Sequence, residues 1–282
     1  MTTGASTAIR CTISTEDRTA GPLQEHTCAN TAAQARQLAE AVAGQLHHAI
    51  ATRGRALLAV SGGKSPIALF EHLRQQPLDW PSVTVLLADE RCVPHTHADS
   101  NTALVRQHLL QDGAAAATFV TFFDTLPAEL PANLSTTASS GAAQQAAAIG
   151  MASAEAEPLL DTLAAAANQR LAALHWPLDV AVLGMGEDGH TASLFPAAPG
   201  LATALHTTAH VAWVRPDAIG HAPHPRLTLT LPTLQAARQL HLSLAGPAKQ
   251  AVYRKALARP DAALPVSLLL HRPAHPFSVW LA

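Results

Sequence analysis

Three loops concentrate the residue types that bind anions and move protons. The segment Leu183-Gly184-Met185-Gly186-Glu187-Asp188-Gly189-His190-Thr191-Ala192-Ser193 carries three glycines in six positions after an apolar run. With so little side-chain bulk around them, Asp188 and His190 emerge side by side. Imidazole, with an unperturbed pKa of about 6.5, is suited to taking a proton from water at neutral pH. A neighbouring carboxylate can orient the ring or stabilise its charged form. The second loop, Ser61-Gly62-Gly63-Lys64-Ser65-Pro66, joins an apolar run to a helical pattern. Its glycines let the backbone N–H groups of Gly62 and Gly63 approach an oxyanion; the helix start adds partial positive charge and Lys64 a full one. Taken alone, the same residues also fit a tight turn with an exposed lysine. The third region holds Asp89-Glu90-Arg91 and Asp99-Ser100-Asn101. Arg91 at a strand end has the fork geometry to clamp a phosphate, but this cluster also fits a surface salt-bridge group of little energetic weight. Asp99 and Ser100 equally fit plain helix caps.

Other chemistries lack their residues. The glycine-lysine loop does not match GxxxxGKS, and no GxSxG or HExxH occurs. Gly184-x-Gly186-x-x-Gly189 has the letters of a dinucleotide fingerprint, but it follows a late strand and carries a His-Thr that such a loop does not need. Metal ligation is weighed on His206/His210 and His271/His275, both spaced i, i+4, with Pro273 interrupting the second pair. Most of the 16 histidines read as solvent-facing polar residues, and no metal site is expected.

The elements that must position these loops alternate. A helix is expected over residues 31–52, where Ala35, Leu38, Ala39, Val42, Leu46 and Ile50 recur at three- and four-residue spacing before Gly54. A strand over 56–60 leads to the Gly62 loop, and Ser65-Pro66 reads as an N-cap followed by proline at the first helical position. A strand over 83–88 is followed by Asp89-Glu90-Arg91 as a turn, then a helix over 100–110 and a strand near 118–123. Between 127 and 158 the alternation breaks. Ten of the 25 residues from 132 to 156 are alanine and Glu155 is the only charge, which reads as a surface insertion, with 142–149 as a candidate helix. A helix over 159–174 follows, with strands at 180–183, 211–214, 227–231, 240–244 and 277–281. A helix after Pro247 and a short strand around 8–13 complete the reading; the rest of residues 1–29 is polar and aperiodic. Near-continuous apolar strands alternating with helices predict a mostly parallel α/β sheet flanked by helices, within a single domain spanning 1–282. All three loops leave strand carboxyl ends, where such sheets bind ligands.

Composition narrows the partners. Eighteen Lys and Arg against 20 Asp and Glu give a net charge of −2, so no nucleic-acid groove is expected. Charged residues total 13%, about half the usual share, yet no apolar run approaches the ~18 residues of a membrane span. Cys11, Cys28 and Cys92, without a CxxC pair, predict a reducing compartment. The start of the chain has neither a basic segment nor an apolar core of a signal peptide, so a cytoplasmic protein is expected.

Together, VSGGKSPIALFEHL (60–73), LLADERCVPHTHADSN (86–101) and LDVAVLGMGEDGHTASLFP (178–196) resemble the 6-phosphogluconolactonase family, with weaker matches at Arg226-Leu227-Thr228-Leu229-Thr230 and Gly246-x-x-Lys249. The resemblance covers roughly residues 30–260. It implies a Rossmann-like sheet with a small added subdomain, as in glucosamine-6-phosphate deaminase and ribose-5-phosphate isomerase. It implies hydrolysis of 6-phospho-D-glucono-1,5-lactone without metal or organic cofactor, with His190 as general base and Asp188 as its orienting partner. The substrate would be bound by Gly62, Gly63, Lys64, Asp89, Arg91, Ser100, Asn101, Gly189, Arg226 and Lys249. A deaminase or isomerase of the same fold, or a non-catalytic sugar-phosphate sensor, is the alternative. A small sugar-phosphate lactone is the expected partner, and a monomer or weak homo-oligomer the expected state.

Overall fold

The computed structural model describes residues 23–126, 142–271 and 275–282. The strand expected at 8–13, Cys11 and residues 132–141 of the alanine-rich segment lie outside them. In chain order the elements are β1 (Leu23–Thr27), α1 (Thr31–Arg53), β2 (Ala56–Val60), α2 (Ile67–Leu73), β3 (Val83–Leu87), β4 (Asp89–Arg91), α3 (Asn101–His108), β5 (Thr118–Val120), α4 (Ala142–Leu171), β6 (Val180–Leu183), α5 (Leu201–His206), β7 (Val211–Val214), β8 (Arg226–Leu229), α6 (Leu231–Gln235), β9 (Gln239–Leu244), α7 (Pro247–Ala256), α8 (Pro265–Leu270) and β10 (Phe277–Leu281). Seven strands form a wholly parallel sheet in the order β1-β10-β9-β6-β2-β3-β5. A separate antiparallel sheet, β4-β8-β7, is the small added subdomain.

Every residue of β2 and of β6 is buried, so their sequences are unbroken aliphatic runs rather than alternating ones. From β2 the chain steps outward through β3 to β5. It then returns to the other side of β2 and steps through β6, β9 and β10. The loops leaving β2 and β6 therefore diverge, opening a crevice at the sheet's carboxyl edge. α1 begins where the Asn30 side chain accepts a hydrogen bond from the Ala33 N–H, and ends at Gly54 with φ of 72°. Its buried stripe contains Leu38, Val42, Leu46 and Ala49, at the spacing the sequence displays. Among the described residues no helix is long and apolar enough to cross a membrane.

Several local expectations are corrected. Asp89-Glu90-Arg91 is not a turn but strand β4, stabilised by antiparallel pairing with β8. Ser65 makes no capping bond and α2 starts only at Ile67, after Pro66. α4 starts at Ala142 and runs through Pro158, because alanine is the best helix former and sustains a long helix despite the one lost N–H. β1 goes unseen in sequence because Leu23-Gln24-Glu25-His26-Thr27 has one aliphatic residue, enough for an edge strand that is only half buried.

The core also holds a neutral imidazole. His241 on β9 is 1% exposed; its Nδ1 accepts from Trp280 Nε1 at 3.0 Å, and its Nε2 lies 2.7 Å from Gln45 Oε1. Burial pushes its pKa down to about 3, with a smaller push from His26. The unfolded chain takes up this proton below about pH 6.5 while the folded chain does not. His241 therefore leaves stability intact above pH 6.5 and removes it as pH falls towards 3. Burial also lowers the pKa values of His26, His95 and His210, which act in the same direction. Urea unfolding should show His241 contributing on the order of 2 kcal/mol of stability loss between pH 7 and pH 5. His241→Gln should flatten that slope by a similar amount; an unchanged slope would remove His241 as its source.

Candidate active site

The switch-point crevice has a volume of about 780 Å³. On its β6 side, the loop is tied into one shape by its own bonds. Gly186 N donates to His190 O at 2.9 Å, Gly189 N to Gly186 O at 3.1 Å, and Thr191 Oγ1 to Gly184 O at 2.8 Å. Gly189 supplies a φ of 80°. Gly186 matters for space instead, since a Cβ there would sit 2.2 Å from His190 Nδ1 and 2.5 Å from Asp188 Oδ1. Only glycine lets these two side chains meet above it.

They meet closely. His190 Nδ1 lies 2.6 Å from Asp188 Oδ1, which also accepts the His190 backbone N–H at 3.2 Å. Burial alone would raise the Asp188 pKa, but the hydrogen bond and charge of His190 outweigh it and hold the carboxyl below its usual range. An ionised carboxylate only accepts, so Nδ1 carries a proton, and the lone pair of a neutral His190 ring would sit on Nε2. The ring stacks on Phe195, centroids 4.0 Å apart, and is 28% exposed on its side chain. His221 Nδ1 stands 3.7 Å from Asp188 Oδ2.

On the opposite side, β4 and β8 pair with Arg91 directly across from Arg226. Two like charges in that register repel; a carboxylate holds Arg226 and a backbone carbonyl holds Arg91. Asp89 Oδ2 lies 3.6 Å from Arg226 Nη1 and accepts from Ser193 Oγ at 2.6 Å, which joins the His190 loop to the small sheet. Burial, with the charge of Arg91, lowers the Arg226 pKa against the pull of Asp89. Arg91 Nη1 donates to the Asp99 carbonyl at 2.5 Å. Next to Arg91 on β4, Glu90 is 1% exposed and accepts from the N–H groups of Arg91, Asn101 and Thr102 and from Ser100 Oγ, at 2.7–3.2 Å. Burial raises its pKa despite those bonds. Its carboxylate anchors the start of α3 to β4.

The β2 loop completes the crevice. A Cβ on Gly62 would lie 1.9 Å from Asn101 Oδ1, and Gly63 has φ of 88°. Ser61 Oγ, Asn101 Oδ1, Arg91 Nε and Arg226 Nε are buried without a protein partner, and all four residues line the crevice. Such orphaned groups are costly unless a ligand meets them.

Of the residues singled out in the sequence, the structure brings Gly62, Gly63, Lys64, Asp89, Arg91, Asn101, His190, Arg226 and Lys249 to this one crevice. Asp188 lines an adjoining hollow of about 590 Å³ shared with Arg91, His190, His221 and Arg226. Ser100 and Gly189 line neither. Ser100 caps α3 and bonds Glu90, while Gly189 packs under Leu264. Sequence reasoning passed over Glu90, Gly186, Ser193, Phe195 and His221. Gly186 had a signal in the glycine-rich spacing, whereas the others depend on neighbours distant in sequence.

The fold is a Rossmann-like α/β sheet whose switch-point crevice brings a histidine–carboxylate couple beside two opposed arginines. The chain belongs to the family described as glucosamine-6-phosphate isomerases/6-phosphogluconolactonase, which matches residues 29–280. It is 43% identical over 245 residues to a 6-phosphogluconolactonase of Pseudomonas aeruginosa, covering 86% of this chain and 90% of that one. A Rhizobium meliloti 6-phosphogluconolactonase is 41% identical over 91% of this chain and 97% of its own. The crystal structure of a 6-phosphogluconolactonase from Shewanella baltica superposes with a TM-score of 0.76 at 35% identity, covering 92% of this chain and 97% of that one. A monomeric glucosamine-6-phosphate deaminase shares the fold at a TM-score of 0.58 and 15% identity, over 91% of this chain and 96% of its own.

Gly186→Ala should cost about 1–2 kcal/mol of stability and separate His190 from Asp188. Long-range ¹H–¹⁵N spectra should report an Nδ1–H imidazole in the unsubstituted protein and lose that signature in the variant. An unchanged spectrum would show that the loop absorbs the methyl group.

Proposed function

We propose that this protein hydrolyses 6-phospho-D-glucono-1,5-lactone to 6-phospho-D-gluconate, with His190 as general base. The observation that carries this reading is the 2.6 Å contact of His190 Nδ1 with Asp188, which leaves Nε2 as the nitrogen for a proton from water, in a crevice also lined by Gly62, Gly63, Arg91 and Arg226. The names of the relatives that align over most of the chain give the substrate. In the proposed reaction, Nε2 takes a proton from water as the water oxygen attacks the lactone carbonyl. The imidazolium, its charge balanced by Asp188, returns that proton to the ring oxygen as the carbon–oxygen bond of the ring breaks. The products are a hydroxyl and a carboxylic acid, which then ionises. A positioned acid–base group of this kind contributes about 10²–10⁴-fold.

The phosphate is assigned to the Gly62 and Gly63 amides with Arg91, Arg226, Lys64 and Lys249. Arg91 and Arg226 face each other across β4 and β8, and a dianion between them relieves their repulsion and satisfies Nε atoms that otherwise lack partners. Asp89, Ser100, Asn101 and Gly189 act through these groups by holding Arg226, the start of α3, Gly62 and the His190 loop.

The decisive assay generates the lactone in place and follows acid release above the spontaneous rate. The unsubstituted protein should accelerate release; His190→Ala should fold and lose at least tenfold in kcat. Failure to accelerate, with 6-phosphogluconate still binding, would turn the assignment to a sensor or to another sugar phosphate. Arg91→Ala should act chiefly on KM, raising it at least several-fold. An unchanged KM would place the phosphate elsewhere.

A further inference from the structure

The histidine pairs that sequence spacing offered to a metal are engaged elsewhere. His210 stacks on Trp176 with centroids 3.8 Å apart, and His271 Nε2 lies 3.3 Å from the Ala256 carbonyl. A different set converges beside Arg91. His97 and Asp99 come from the loop before α3 and His224 from the loop before β8, and one ligand atom from each lies within 4.8 Å of the others. His224 Nε2 is 3.0 Å from Asp99 Oδ2, and His97 Nδ1 is 3.9 Å from the same oxygen. We propose that His97, Asp99 and His224 form a binding site for one divalent transition-metal ion of the Zn²⁺ class.

Backbone geometry supports this beyond proximity. His224 stands between Pro223 and Pro225 with φ of 72°, a left-handed conformation uncommon outside glycine. The loop thus holds a sparsely populated conformation where it delivers an imidazole to a carboxylate, a pattern that clusters at ligand sites. The Asp99 main chain is held by Arg91 through its carbonyl, while its carboxylate faces the two imidazoles. His97 Nδ1 accepts the Asp99 N–H at 3.1 Å, and its 44% exposed side chain stands edge-on to the His224 ring, centroids 5.4 Å apart.

Two imidazoles and one carboxylate, with a fourth position left to water, suit a borderline ion such as Zn²⁺ better than Mg²⁺ or Ca²⁺, which prefer all-oxygen shells. Arg91, bonded to the Asp99 carbonyl, brings positive charge beside the site. Its repulsion limits affinity to that of an exchangeable rather than a structural ion.

The full chain, stripped by chelator, should be titrated with Zn²⁺ by calorimetry and with Co²⁺ by visible absorption. One equivalent should bind, with the intense Co²⁺ bands of a four-coordinate site. Asp99→Asn and His224→Asn should each weaken that event at least tenfold; asparagine tolerates the left-handed backbone at position 224. His47→Ala, in the exposed His47-His48 pair on α1, should leave it unchanged. Absence of a one-equivalent event, or its survival in both the Asp99 and His224 variants, would overturn the proposal.

Discussion

Two guanidinium groups that repel each other stand opposite one another at the edge of a crevice, and much of the surrounding structure holds them there. Arg91 and Arg226 are cross-strand partners on β4 and β8, an arrangement that costs energy without an anion between them. Asp89 offsets part of it beside Arg226, and the Asp99 carbonyl fixes Arg91. Buried Glu90 binds three backbone N–H groups at the junction of β4 and α3. The repulsion is stored rather than removed, and it is directed at the position where a phosphate would cancel it.

The His190–Asp188 pair depends on a second constraint, the absence of a side chain at Gly186. With that space clear, Asp188 sits against His190 Nδ1 and fixes the orientation of the ring. Ser193 then ties the loop to Asp89, the carboxylate that steadies Arg226. The His190 loop and Arg226 are thus joined through one buried oxygen atom, Asp89 Oδ2, so displacement of the small sheet would disturb both.

The strand order gives these parts a common location. Because the chain departs from β2 in one direction and returns through β6 in the other, the Gly62 and His190 loops border the same opening. The antiparallel sheet closes that opening from a third side. The same closure places His224 against Asp99, so their cluster beside Arg91 is a by-product of how the small sheet docks.

Much of this was legible in the chain itself. Fully buried strands must be aliphatic along their whole length, so β2 and β6 announce themselves, β3 is interrupted only by half-buried Thr84, and the glycine-rich and acidic segments that follow them stand out by composition. The spacing of α1, the direction of the sheet and the His190, Asp188, Gly62 and Arg91 candidates all follow from local pattern. What tertiary structure decided was which distant residues face one another. Asp89-Glu90-Arg91 is too short and polar to declare itself a strand, and only pairing with β8 makes it one and sets Arg91 against Arg226. Glu90 looks like a surface charge until α3 presents its N–H groups to it, and His97, Asp99 and His224 meet across a separation of 125 residues. Periodicity records which face of an element is buried; register between elements arises from long-range packing, and these contacts are matters of register.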